Sequence, residues 1–206
     1  MTITPELTAV RFETDGDLRQ LASCRRDRVR FVDLPEHRFL AIDGTEPPGD
    51  PSYIAAVGAL YSVAYPLHFR LRARGVHGHR VGMLEGLYWL PSPGSANQPP
   101  MRWRLLVAVP DEATEDDVDA VMHDVGKPAE RMYLDRWAEG PAAQILHVGP
   151  YAAEEATLAR LFAEISARGL RPHGPHHEIY LNNPREVGEE RARTVLRQPV
   201  RPATDD

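Results

Sequence analysis

The chain contains a single cysteine, and it has no long apolar run. Cys24 is the only cysteine among 206 residues, so no intrachain disulfide can form, and a reducing cytoplasm fits this composition. We interpret its thiol as inert. No stretch reaches the roughly 20 apolar residues of a membrane-spanning helix. The first residues also lack the basic start and apolar stretch of a signal peptide. The sequence therefore predicts a soluble, cytoplasmic globular protein.

Basic residues are outnumbered, and they form no large cluster. The formal net charge is -6 with a pI near 5.8, and Lys127 is the only lysine. The densest basic segment, residues 25–30, is short and interrupted, which favours a solvated lead-in segment. Nucleic-acid surfaces need a basic patch, so this composition predicts no direct nucleic-acid binding and is compatible with cationic partners.

Several motifs of common enzymes are missing. The sequence has no Gly-x-Ser-x-Gly elbow, P-loop or dinucleotide fingerprint, which excludes the common hydrolase and nucleotide-dependent classes. His77 and His79 are close in sequence, as are His173, His176 and His177, but neither group completes a known zinc spacing. We therefore predict structural or surface histidines, with no metal and no cofactor.

The first half of the chain shows the order strand, helix, strand, strand. Asp50 and Pro51 are typical of a helix start. Pro66 is expected to end or kink that helix, although Leu67, Phe69 and Leu71 could continue it as a distorted turn. The apolar positions of the helix are Ile54, Val57, Leu60, Tyr61 and Ala64. The predicted strands cover residues 38–44, 84–90 and 102–109, and residues 91–100 are an exposed loop.

The second half repeats this order after a capped helix that begins at Thr114 and a strand at residues 132–137. Its strands cover residues 143–149, 177–181 and 194–200, and a helix at residues 154–167 ends before Gly169. The predicted fold is α+β, with two pseudo-symmetric β-α-β-β repeats whose antiparallel sheets form a central ligand groove, helices lying on the outer faces. The expected organisation is an arm (1–30), repeat one (about 31–110), an insert (111–138), repeat two (about 139–200) and a tail (201–206).

Glu178 lies inside a strand-forming segment, where an acid needs a partner or water. Strand alternation places it with His176 and Tyr180 on one face, opposite Ile179 and Leu181. A ligand pocket and a solvated sheet face both explain the acid. Because Ile179 and Leu181 suit the side under a helix, we expect Glu178 and Tyr180 to face the groove. In the strand at residues 84–90, either the face of Glu85, Leu87 and Trp89 or the face of Gly86 and Tyr88 lines the groove.

Five segments in this order resemble the GyrI-like small-molecule-binding family. They are residues 38–44, 59–65, 84–89, 146–151 and 176–181, and the similarity spans roughly residues 30 to 200. The resemblance implies the two-repeat fold that also forms the effector-binding half of drug-responsive transcription regulators. It implies a groove for bulky, often cationic aromatic compounds, with its acid at Glu178. The ~30-residue arm is too short for a winged helix, so a stand-alone member is expected.

Stacked rings and a carboxylate suit a delocalised cation. The candidate ligand-binding residues around Glu178 are Tyr180, Trp89, Tyr65, Trp137, Tyr151, Glu85 and His147. For each aromatic residue, ordinary core packing is the alternative. The predicted function is multidrug binding, in which the protein sequesters lipophilic, often cationic aromatic compounds.

Two alternatives stay open. Some family members resemble bacterial hydrolases that open the cyclopropane ring of DNA-alkylating compounds and so give drug resistance. In that case Glu178 is the catalytic base, and Tyr151, Tyr65 or Tyr180 donates a hydrogen bond to the developing charge. The second alternative is a co-regulatory or inhibitory module that binds another protein.

Overall fold

The computed structural model describes residues 10, 12–13, 23–89 and 101–203, which alternate between strands and helices. The elements are β1 (Arg30–Gly44), α1 (Pro51–Ala73), β2 (Leu84–Trp89), β3 (Arg102–Val109), α2 (Glu115–Val125), β4 (Tyr133–Val148), α3 (Glu155–Ala167), β5 (Leu170–Pro172), β6 (His176–Tyr180), α4 (Pro184–Val187) and β7 (Arg193–Pro202). Leu90, the predicted loop at 91–100 and most of the predicted arm lie outside the described residues. No helix within the described ranges is both long enough and apolar enough to cross a membrane.

The chain divides into two compact units. The first unit consists of Glu36–Ala138 and His177–Tyr180, and the second consists of the residues up to Pro35, Glu139–His176 and the residues from Leu181 onward. In the first unit the strand order is β1-β3-β2-β6. In the second unit β7 pairs with both β4 and β5. The fold is thus mixed α/β with antiparallel pairing, and the pseudo-symmetry of two repeats stays a prediction.

The core of the first unit lies between α1 and the sheet. Leu60, Leu67 and Leu71 of α1 are buried together with Leu105 and Val107 of β3. Burying a leucine side chain contributes about 1.5–3 kcal/mol. This packing explains why α1 continues past Pro66, which was expected to end or kink it: the residues after the proline are held against the sheet, and the proline itself is exposed.

The buried face of α1 also differs from the predicted one. Ile54 was assigned to the apolar stripe, but it is 44% exposed, whereas its neighbour Tyr53 is 8% exposed. Apolar residues occur on most sides of this helix, so spacing alone did not select the face. The face that is buried presents Tyr53 to the sheet.

Strand β4 joins two predicted strands. Residues 132–137 and 143–149 were expected to be separate, but one strand runs from Tyr133 to Val148. Gly140 has a positive φ of 70°, a conformation that glycine adopts at little steric cost. The glycine therefore takes up the unusual backbone conformation within the strand, where the sequence suggested an end.

Asp117 closes the start of α2 and binds α1. As predicted, Thr114 caps the helix: its hydroxyl accepts from the Asp117 backbone N–H at 3.2 Å, and the Asp117 carboxylate accepts from the Thr114 backbone N–H at 3.2 Å. The same carboxylate accepts from Arg70 Nε at 3.0 Å and from Arg74. This side chain thus connects the two helices of the first unit.

We predict that Asp117→Asn lowers the free energy of unfolding by about 1–2 kcal/mol, because hydrogen bonds to a charged group contribute about 1.5–3 kcal/mol and the two arginines are partly exposed. The amide cannot serve as a charged partner for both arginines. Urea unfolding checks this, with the matched control Asp116→Asn, because Asp116 is exposed on the same helix turn. Equal stability of the two variants would contradict the role of Asp117.

The second unit has its own core. Ile145 of β4, Leu161 and Ile165 of α3, and Leu196 of β7 are buried in one cluster with Phe31. Helix α3 ends before Gly169, whose φ of 66° is the left-handed conformation expected of a residue just past a helix. The helix predicted at residues 154–167 is therefore confirmed to within one residue.

Candidate functional site

Three tyrosine hydroxyl groups form a hydrogen-bonded chain that ends on Glu178. Tyr53 of α1 lies 2.7 Å from the hydroxyl of Tyr88 on β2, and Tyr88 lies 2.7 Å from the hydroxyl of Tyr180 on β6. Tyr180 donates to Glu178 Oε2 at 2.8 Å. We call these three side chains the phenol chain. All four residues belong to the first unit.

The charge of Glu178 determines the direction of every bond in the phenol chain. An ionised carboxylate only accepts, so Tyr180 must donate to it. Each hydroxyl has one proton, so Tyr180 accepts from Tyr88, and Tyr88 accepts from Tyr53. All three O–H dipoles therefore point toward the carboxylate, and bonds aligned in this way strengthen one another.

Residues around Tyr53 and Tyr88 hold these two members of the phenol chain in place. The Trp103 ring packs edge-on against Tyr53, with centroids 5.1 Å apart, and its indole N–H donates to the Glu46 carbonyl at 2.6 Å. Gly86 leaves room for the chain, because a Cβ there would lie 2.7 Å from the Tyr88 hydroxyl. Only a residue without a side chain fits at this position while Tyr88 keeps its place.

The side chains from Tyr53 to Glu178 differ in their exposure to solvent. Tyr53 and Tyr88 are buried, with 8% and 5% of their surface exposed. Tyr180 and Glu178 are only partly buried. The exposed surface of these four residues therefore lies mainly at the Tyr180–Glu178 end, while the tyrosines behind it are shielded from solvent.

Burial controls the protonation of the site. Desolvation raises the pKa of Glu178, and the hydrogen bond from Tyr180 and the positive charge of His177 oppose this without cancelling it. Burial also raises the pKa of Tyr53, Tyr88 and Tyr180 above the ordinary phenol value. The phenols therefore remain protonated donors, and Glu178 is a stronger base than an exposed glutamate.

From the sequence we expected a helix to cover the face of β6 opposite Glu178 and Tyr180, and this expectation is wrong. Ile179 and Leu181 were expected on the side under the helix, but the phenol chain joins Glu178 and Tyr180 to Tyr53 of α1. Alternation separates two faces without showing which one a helix covers. Because the Tyr180 hydroxyl donates a hydrogen bond to the Glu178 carboxylate, this acid can lie on the helix-covered face of β6.

The opposite face of β2 and β6 carries a second acid. Glu85 Oε2 lies 3.0 Å from His177 Nε2, and both side chains are buried. The Trp137 ring packs edge-on against His177, with centroids 5.6 Å apart. Glu85 and Trp137 therefore lie on the side away from the phenol chain, and in β2 it is Tyr88 whose side chain leads to Glu178.

Two further predicted residues contact other groups of the first unit. Trp89 lies under the Arg102 guanidinium, 5.2 Å from ring centroid to Cζ. Tyr65 is 54% exposed and its ring centroid is 6.0 Å from that of Tyr61. Burial raises the pKa of Tyr61 to about 12. Tyr61 and Tyr65 thus place two phenol rings on the same helix as Tyr53.

Tyr151 and His147 belong to the second unit. Tyr151 begins a short 3-10 helix (Tyr151–Ala153) and is 46% exposed. His147 is buried, and its ring nitrogens lie 3.0 Å from the Thr157 hydroxyl and 3.1 Å from the Pro150 carbonyl. Their roles as ligand-binding residues, and that of Tyr151 in catalysis, stay predictions.

Sequence reasoning missed Tyr53 and His177, and it named Tyr88 only as one of two alternatives. One signal was available for Tyr88: a glycine two residues earlier in a strand indicates close approach of another group on that face. Tyr53 lies in the first turn of α1, next to the residue chosen for the apolar stripe. Nothing in the spacing pointed to His177 as a partner of Glu85.

Other reactive groups add little to the site. Among the described residues, no group of three His, Cys, Asp or Glu side chains is placed to hold a metal ion. Burial raises the pKa of the Cys24 thiol to about 11. Because thiolates are the reactive form, Cys24 is unreactive at neutral pH.

Comparison with known proteins defines the class of protein as a small-molecule-binding domain. The GyrI-like small molecule binding domain matches residues 27–201. An uncharacterized conserved protein from Listeria innocua is 30% identical, with 89% of this chain and 97% of that chain covered and a TM-score of 0.80. No curated protein matches significantly. The chain belongs to the GyrI-like family.

Two further structures are similar to this chain. A hydrolase from Listeria innocua is 29% identical, with 89% of this chain and 96% of that chain covered and a TM-score of 0.74. The C-terminal domain of EcmrR is 13% identical, with 85% of this chain and 98% of that chain covered and a TM-score of 0.54. The second likeness shows a shared fold alone.

Proposed function

We propose that this chain is a small-molecule hydrolase in which Glu178 is the general base. The observation that carries the proposal is the phenol chain, which ends on a partly buried carboxylate. The Tyr180 hydroxyl would satisfy a structural acid as well, but a general base additionally benefits from a carboxylate whose pKa is raised by burial and whose orientation is fixed.

The reaction follows from the properties of Glu178. A carboxylate accepts up to about four hydrogen bonds, so it can bind a water while Tyr180 holds Oε2. Glu178 removes a proton from this water as the oxygen attacks an electrophilic carbon. Tyr180, which stays protonated, keeps the carboxyl group oriented during the transfer. The proton then leaves Glu178 for the substrate, which regenerates the base.

Strained cyclopropanes conjugated with a carbonyl group are the proposed substrate class. Water forms a C–O bond to a ring carbon, the ring C–C bond breaks, and its electron pair moves onto the carbonyl oxygen, which takes the proton from Glu178. The net change is addition of one water, and it needs only a base and an oriented substrate. Similarity at 29% and 28% identity to two Listeria innocua structures described as hydrolases supports hydrolysis as the reaction, and the cyclopropane class comes from the family resemblance.

Sequestration of lipophilic aromatic cations is the second candidate. The observation that favours it is the combination of a partly buried acid with the exposed ring of Tyr65 on α1, which packs beside the partly buried Tyr61. A cation over an aromatic ring gains about 0.5–2 kcal/mol. Such a protein would bind one equivalent of ligand and release it unchanged.

Stoichiometry separates the two functions. A compound with a cyclopropane fused to a dienone is incubated with one-hundredth of its molar amount of protein, and product is followed by mass spectrometry. The hydrolase converts all of it to a product heavier by one water. Consumption that stops at one equivalent, or recovery of unchanged compound after denaturation, would contradict the hydrolase and support sequestration.

The pH dependence of hydrolysis follows from the pKa of Glu178. The base must be ionised, so kcat/KM should rise with pH and level off above the pKa of Glu178. Because burial raises that pKa, the midpoint should lie above the ordinary glutamate value of 4.5. Measuring kcat/KM between pH 4 and pH 9 checks this. A profile that is flat across this range, or that falls as pH rises, would contradict Glu178 as base.

A further inference from the structure

A buried ion pair lies on the face of β6 opposite Glu178. His177 Nε2 is 3.0 Å from Glu85 Oε2, and the two side chains are 1% and 7% exposed. An unpaired buried carboxylate would be costly, so this geometry favours the imidazolium form of His177. His177, which directly precedes Glu178 in β6, therefore carries the positive charge of the pair.

The surroundings of the pair strengthen its field. The Trp137 ring packs edge-on against His177, and Phe39 contacts Trp137 with centroids 6.3 Å apart. Apolar rings keep water away from the imidazole, and charges interact more strongly where water is excluded. These rings therefore preserve the influence of His177 on nearby groups.

His177 is a cation that acts on Glu178 from the opposite face of β6. Tyr180 binds Glu178 directly, Tyr88 and Tyr53 extend the phenol chain, and all three are neutral. Consecutive strand residues are about 3.3 Å apart along the strand, so the imidazolium acts on the carboxylate across the thickness of the sheet. Burial raises the pKa of Glu178, and His177 counteracts this.

We propose that Glu85 and His177 are positioning residues that keep Glu178 ionised at neutral pH. Glu85 holds the proton on His177, and the charge of His177 stabilises the Glu178 carboxylate on the other face. This inference rests on the proposed function, because an ionised Glu178 is what a general base requires. Glu85, the second buried acid, thus contributes to the same reaction without contacting the substrate.

The double variant Glu85→Gln/His177→Gln tests this proposal, because two amides keep a hydrogen bond in place of the ion pair. We expect the midpoint of the kcat/KM profile to move up by about half a pH unit or more, as neighbouring charges do. The plateau at high pH should stay within twofold of the parent. Glu130→Gln, which retains the Glu85–His177 pair and changes an exposed acid of the same unit, is the control and should leave the midpoint unchanged.

A second measurement needs no substrate. The carboxyl carbon of Glu178 is followed by 13C NMR during a pH titration of the protein, with Glu178→Gln to assign its signal. The titration midpoint should move up in the double variant. An unchanged midpoint would overturn the inference, even with normal hydrolysis. Failure of the proposed function appears differently, as unchanged hydrolysis in Glu178→Gln.

Discussion

Glu178→Gln is expected to lower kcat/KM for hydrolysis by about 10²- to 10⁴-fold, the usual contribution of a general base. Glutamine has the same length and keeps an oxygen for the Tyr180 hydroxyl, which lies 2.8 Å from Glu178 Oε2. It cannot take a proton from water at neutral pH. Initial rates of ring opening at pH 8 measure the loss.

The control for this variant is Glu130→Gln, an exposed acid in the same unit. It should hydrolyse at the parent rate. Thermal unfolding of both variants should show an intact fold, and Glu178→Gln should unfold no earlier than the parent, because burial disfavours the charge that it removes. A folded Glu178→Gln variant with the parent rate would refute the assignment of Glu178 as base.

Tyr88→Phe is expected to have the second largest effect, because Tyr88 binds both neighbours in the phenol chain. Tyr180 loses its donor and the buried Tyr53 hydroxyl loses its acceptor. A buried hydroxyl without a partner costs about 1–3 kcal/mol, which urea unfolding measures. We expect kcat/KM to fall about tenfold, since about 1.4 kcal/mol at the transition state corresponds to that factor.

Two further variants distinguish the effect of the intact phenol chain from the effect of a single hydroxyl group. Tyr53→Phe removes only the terminal donor, so it should have a smaller effect than Tyr88→Phe. Gly86→Ala removes no hydroxyl, but its Cβ would lie 2.7 Å from the Tyr88 hydroxyl and displace it. We expect Gly86→Ala to resemble Tyr88→Phe. Normal activity in both Gly86→Ala and Tyr88→Phe would show that the chain has no part in catalysis.

Most of the fold was predictable because its signals are local. The capping residue Thr114, the glycine that follows α3 and the alternating strands at residues 84–89 and 102–109 each act within a few residues. The errors arose where tertiary packing dominates. The part of α1 after Pro66 is held by the burial of Leu67 and Leu71, which no local rule for proline contains.

The site was predictable only in part, because its decisive contacts join distant segments. Glu178 and Tyr180 stand two apart in one strand, so alternation placed them together. Tyr53 and Tyr88 reach them from α1 and β2, and these contacts depend on which face the helix covers. The ion pair of Glu85 and His177 likewise depends on β2 and β6 being neighbours.

Isotope labelling tests directly whether Glu178 activates water at the end of the phenol chain. A single turnover of a cyclopropane fused to a dienone is run in 18O-labelled water with protein in excess, and product and protein are examined by mass spectrometry. We expect the product to carry one 18O atom and Glu178 to carry none, since a base does not exchange its oxygens. Label in the Glu178 carboxyl group, or product without label, would contradict it.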